Sequence, residues 1–137
     1  MKIVKIKDPI YLAEISIIIN CSYDEFKDYI IKKYKIKEWK QVGGRCGEHF
    51  CITASNGFVY NIIWVETFKW TIGCQSTMAH ELLHCATNVL IRVGVDIVDS
   101  EGSEALAYYY EFLFRETWNK LKPNKRKKKT IKKNETD

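Results

Sequence analysis

The chain has 137 residues, 46% of them apolar and 28% charged, which is enough to build one core and excludes a disordered, collagenous or membrane-embedded protein. Its net charge of +5 is unevenly placed: residues 122–137 hold eight Lys or Arg against two acids, a local +6 that leaves −1 on the rest. The basic character therefore belongs to the C-terminal tail, which argues against a nucleic-acid surface on the folded body.

In chain order, Lys2–Lys7 alternates charged and apolar residues and predicts a short edge strand, interrupted by Pro9. Ile10–Asn20 contains the run Ile-Ser-Ile-Ile-Ile, the composition of a buried strand. Ser22 and Glu25 form a capping box, and the helix it opens carries Phe26, Tyr29, Ile30 and Tyr34 on one face, ending near Lys35. Gln41–Gly47 reads as a glycine-rich loop. Cys51–Ala54, the Asn56-Gly57 turn and Phe58–Val65 read as a β-hairpin. A long helix is expected over about Met78–Val93, capped by Ser76 or Thr77 and closed by Gly94 in a left-handed cap. After a loop at Val95–Gly102, Ser103 is expected to cap a last helix that runs to Leu121, with Pro123 stopping it. The result is an α+β domain over residues 1–121, a small mixed or antiparallel sheet packed on helices, followed by a disordered basic tail at 122–137. The apolar stretches Ile15–Ile19 and Val59–Val65 are too short or too interrupted to cross a bilayer, and MKIVKIKDP, which alternates charge with apolar residues, is not expected to act as a secretory signal. A soluble cytoplasmic protein is expected, with no membrane partner. Its five cysteines, Cys21, Cys46, Cys51, Cys74 and Cys85, are then reduced thiols.

The chemistry lies on the long helix, in His80-Glu81-Leu82-Leu83-His84. Residues i and i+4 stand one above the other on a helix, so both imidazoles can reach a single Zn2+ ion. Glu81 is turned by roughly 100° from His80, placing it beside the ion rather than on it, as a general base for water. Met78, Leu82, Cys85, Val89 and Val93 continue an apolar stripe, with Leu82 and Leu83 expected to face the core. A catalytic zinc needs a third protein ligand and one open place. Glu104, in the first turn of the next helix, is the leading candidate; Glu101, Asp99, Asp96 and Glu111 are its rivals. His49 is another, giving a three-histidine site. Cys46, His49 and Cys51 also form a small cluster of possible ligands, for which ordinary hairpin positions are the default.

With Glu104 following His84 after nineteen intervening residues, the chain resembles the gluzincin branch of the zincin metallopeptidases, the thermolysin-like arrangement. Thr77, the motif itself, Glu104-Ala105, Ala107 and Tyr108 also look like the small metallopeptidases encoded by bacteriophages. The resemblance implies a minimal zincin-like fold and one zinc ion held by His80, His84 and Glu104. It also implies Glu81 as general base, a peptide or protein substrate, and a phage origin, with the host cytoplasm or the virion as location. Thermolysin-like enzymes place an Asn before the third ligand and an Asp four residues after it; here those positions are Ser103 and Tyr108, so a backbone carbonyl, Asp96 or Glu111 must orient the histidines. Tyr108 is the first candidate to donate to the developing oxyanion, and Phe58–Val65 to hold an extended peptide by edge pairing. Two other readings stay open. One is a protease recruited to nucleic acid by the tail, although SprT-like proteases use a third histidine downstream and none follows His84. The other is a non-catalytic virion or assembly protein that keeps zinc for structure.

Overall fold

The computed structural model describes residues 1–40 and 46–123; residues 41–45 of the expected loop, and the expected basic tail from residue 124 on, lie outside the described residues. The domain is α+β. Strands β1 (Lys2–Lys7), β2 (Glu14–Ile19), β3 (Gly47–Thr53) and β4 (Val59–Val65) form one mixed sheet, with helices α1 (Tyr23–Tyr34), α2 (Ile72–Arg92) and α3 (Ser100–Leu121). The strand order is β1-β2-β4-β3. β1 runs antiparallel to β2, β2 parallel to β4, and β3 antiparallel to β4.

The β2–β4 pair explains the isoleucine-rich run, in which even Ser16 is buried. A strand packed on both faces has no polar side to show. Ile15, Ile17 and Ile19 join Ile63 and Val65 in a core shared with Met78, Leu82, Cys85 and Val89 of α2 and Leu113 of α3. Ile18 points the other way and joins Ile62, Trp64 and Phe50 beneath Phe26 and Ile30 of α1. The sheet is thus a middle layer, with α1 on one face and the α2–α3 pair on the other.

The capping box forms as expected: Ser22 accepts from the Glu25 N–H, and the Glu25 carboxylate accepts from the Ser22 N–H at 2.8 Å. Two helix starts differ from expectation. α2 begins at Ile72, capped by Thr71, whose hydroxyl accepts from the Cys74 N–H. α3 begins at Ser100, capped by Asp99, whose carboxylate accepts from the Gly102 N–H. In each case a competent cap lies upstream of the expected one, and the added turn finds neighbours: Gln75 accepts from Trp118 Nε1, and Gly102 is buried. Gly94 has φ of 84°, the left-handed conformation its place after α2 requires.

β4 was the strand expected to offer a peptide-binding edge. It cannot, because it is bonded to β2 on one side and β3 on the other. The edge strand beside α2 is β3.

Candidate active site

α2 presents its two histidines to solvent while burying Met78, Leu82, Cys85, Ala86 and Val89. Leu83 is 44% exposed and does not join the core as expected, because it stands on the histidine side of the helix. The His80 and His84 Nε2 atoms are 3.0 Å apart. Two nitrogens on one tetrahedral zinc, each at about 2.0–2.1 Å, lie about 3.3 Å from one another, so the pair already converges on the place such an ion needs. Glu81, one position after His80, is only 7% exposed.

The remaining exposure of Glu81 opens on a cleft of about 370 Å³ between α2 and the edge strand. Glu81, His84 and Asn88 form one wall, and Gly47, Glu48 and His49 the other. The close approach of the walls depends on Gly47: a Cβ there would stand 2.8 Å from Thr77 Cγ2, one turn before Glu81. Beyond β3, the described residues supply no further strand on its outer side.

A polar network fastens the floor. Gly47, His49 and Cys51 alternate along β3 and face α2, while His84, Asn88 and Arg92 follow one another at i+4 spacing along the helix. His49 Nε2 lies 3.2 Å from Asn61 Oδ1, and Cys51 Sγ lies 3.1 Å from Asn88 Oδ1, which also accepts from Arg92 Nε at 2.9 Å. Burial, aided by the neighbouring His84 and Arg92 side chains, holds the His49 imidazole down to about 4 from its ordinary value of 6.5, against the opposing Asn61 bond. Burial likewise pushes the Cys51 thiol up, outweighing the guanidinium of Arg92 beside it. Although Cys51 Sγ is 3.7 Å from His49 Nε2, this thiol is therefore a hydrogen-bond donor at neutral pH and not a nucleophile. The sequence reading missed this network. The i+4 row on α2 and the alternation on β3 were its visible signals, but only the sheet register brings the two together.

Glu104 is exposed in the second turn of α3. Trp118 Nε1 donates to Gln75 Oε1 and Tyr110 OH donates to the Ala79 carbonyl, at 3.3 and 3.2 Å. These bonds run α3 antiparallel along α2 and return its first half towards the histidines. Among the described residues, however, no three His, Cys, Asp or Glu side chains converge closely enough to hold a metal, so Glu104 is not gathered with His80 and His84. Of its rivals, Asp96 accepts from the Val98 N–H in its own loop and Glu111 pairs with Arg115 at 3.5 Å. Cys46 is exposed, whereas Cys51 is half-buried. Tyr108 is 69% exposed; the neighbouring tyrosines are the ones engaged, Tyr110 at Ala79 beside His80 and Tyr109 in the core at Asp8.

No protein-family model, curated protein or solved structure matches this chain. No described helix is long and apolar enough to cross a membrane.

Proposed function

We propose that the protein is a zinc-dependent peptidase, with His80 and His84 as metal ligands and Glu81 as general base. The observation that carries the reading is the convergence of the two Nε2 atoms at 3.0 Å beside a cleft that also receives the buried Glu81. The donor chemistry fits: two imidazole nitrogens from one helix turn suit zinc, and the acid between them lies beside the pair rather than in line with it. A third protein donor completes such a set, and the resemblance to gluzincins implies Glu104 for it.

Bound zinc supplies Lewis-acid activation of water and of a peptide carbonyl. Glu81 does the proton work: its carboxylate, shielded except towards the cleft, accepts a proton from the attacking water and returns it to the leaving amine. The outer side of β3, beside which no further described strand lies, suits an extended peptide, whose backbone can add to the sheet alongside α2. The oxyanion donor expected at Tyr108 requires that exposed side chain to turn towards the cleft.

The test combines metal content with digestion of a mixed peptide library read by mass spectrometry. The intact protein is expected to bind one equivalent of zinc and to cleave. Glu81→Gln is expected to keep the zinc and to lose hydrolysis by at least about 100-fold, the usual contribution of a positioned acid–base group. Full turnover in that variant would remove Glu81 from its role. Stoichiometric zinc without cleavage of any peptide would favour the non-catalytic reading.

A further inference from the structure

Arg92 follows His84 and Asn88 on the same row of α2 and lines a second cavity, of about 270 Å³, together with Leu12, Phe58, Val89 and Val93. Hydrogen bonds join this cavity to the cleft: Arg92 bonds to Asn88, and Asn61 to His49, the first of each pair lining the cavity and the second the cleft. Arg92 is the only charged residue in the cavity lining, and Asn61 is already engaged by His49 and Cys51. Arg92 Nε donates to Asn88 Oδ1 at 2.9 Å, which anchors the guanidinium, and Cys51 lies beside it. Neither ion pair among the described residues includes Arg92, so its NηH2 groups hold no carboxylate there. The opposite rim is built under strain. Leu12 has φ of 56°, a left-handed conformation that a leucine rarely takes. Asp8 shapes that turn by accepting from the N–H groups of Ile10, Tyr11 and Ala13. Leu12 is nevertheless 76% exposed, so burial of its own side chain does not repay the strain, and strain of this kind gathers where ligands are clamped. Phe58 and Val93 are exposed beside it.

We propose that this cavity receives the carboxyl terminus of a peptide lying in the cleft, with the terminal carboxylate on the Arg92 guanidinium and an apolar last side chain against Leu12, Phe58 and Val93. The inference rests on the peptidase reading above and adds where its substrate ends. A guanidinium meets a carboxylate through two parallel N–H bonds, a geometry that an ammonium or an amide does not offer. An apolar hollow around a single fixed cation selects a ligand with the same two parts. The eight positions from His84 to Arg92 rise about 12 Å along the helix, the span of about three or four extended residues. The bond cut beside the histidines then lies at that distance from the substrate's end.

The experiment titrates the full chain, with chelator present to stop hydrolysis, using the peptide acetyl-Ala-Ala-Ala-Leu as the free acid and as the C-terminal amide. A third peptide is the amide with Asp in place of the last Ala. The free acid is expected to bind at least about tenfold tighter than its amide, the worth of a charge-assisted pair, and Arg92→Gln is expected to erase the difference. Equal affinity for acid and amide overturns the inference, as does a preference that survives Arg92→Gln or the binding of neither peptide. An amidated Asp peptide that binds as tightly as the free acid also overturns it, by placing an acidic side chain rather than a chain terminus at Arg92. Should Arg92→Gln fail to fold, NMR of the Arg92 Nε–H in the unmutated protein decides: the acid must shift it more than the amide does, and an unmoved resonance overturns the inference. Because the titration needs neither metal nor turnover, its failure leaves the peptidase reading standing. A protein that prefers the acid but cuts no peptide with zinc restored loses that reading and keeps this site.

Discussion

His49 shows how one buried imidazole couples the site to stability. In the unfolded chain it takes up a proton near its ordinary 6.5, whereas the folded environment holds it down to about 4. Between those values the unfolded state binds a proton that the folded state refuses. The stability it contributes is therefore complete above about pH 6.5 and is lost as the pH falls towards 4, by about 3 kcal/mol in the metal-free protein. Urea unfolding of metal-free protein and of His49→Gln, followed from pH 7.5 to 4.5, tests this: the difference between their pH slopes isolates the histidine, and parallel slopes contradict it. Asp8 is a second case. It is 5% exposed, accepts from the Ile10 and Tyr11 N–H groups, and receives the Tyr109 hydroxyl at 2.8 Å. Burial, reinforced by this carboxylate, pushes the Tyr109 phenol far up, so it remains a donor. Tyr109→Phe is expected to cost about 1–2 kcal/mol and Asp8→Ala about 3 kcal/mol, since the latter strands a buried hydroxyl and the amides of a turn. Equal midpoints in urea would contradict both values.

At the scale of elements, the decisive contact is that of β3 with α2. Gly47 lets the strand lie against the helix one turn before Glu81, with Thr77 Cγ2 as the nearest obstacle to any larger residue. Gly47→Ala is expected to cost about 1–3 kcal/mol, the usual range for forcing a methyl into a packed contact. Thr77→Ser removes the obstructing methyl, so the double variant should recover part of that loss, a coupling visible in a double-mutant cycle. Strict additivity of the two changes would show that the strand yields elsewhere. The helix starts were harder to read from sequence than this contact is to explain from structure. Thr71, Ser76 and Thr77 are all plausible caps by residue type, and so are Asp99 and Ser103; which one acts depends on how much of the added turn is packed, and local pattern does not contain that.

For the whole molecule, an ion that binds only the folded state must stabilise it. Zinc at about 100 times its dissociation constant adds about 2.7 kcal/mol, on the order of 10 °C in Tm for a domain of this size. Thermal unfolding with added zinc, with chelator, and in a His80→Ala/His84→Ala variant checks this. The rise should appear only in the first case, and a rise that survives loss of both histidines would place the metal elsewhere. The face of the sheet covered by α1 takes no part in such a site. There Phe26, Phe50 and Trp64 pack together, and Trp64 Nε1 donates to the Cys21 carbonyl at 3.1 Å, which holds the sheet from behind.

The sequence alone determined what is periodic or local: the α+β class, the Ser22–Glu25 capping box, the buried isoleucine strand, and the one-turn spacing that turns His80 and His84 towards each other. Each follows from a repeat of 2 or 3.6 residues or from a contact within four positions, which the chain carries without reference to its fold. The tertiary structure decided the strand order β1-β2-β4-β3, and with it that β3 rather than β4 is the edge and that His49 faces the cleft. Those are pairings between residues distant in sequence, settled by which apolar faces can be buried together, so no local pattern records them.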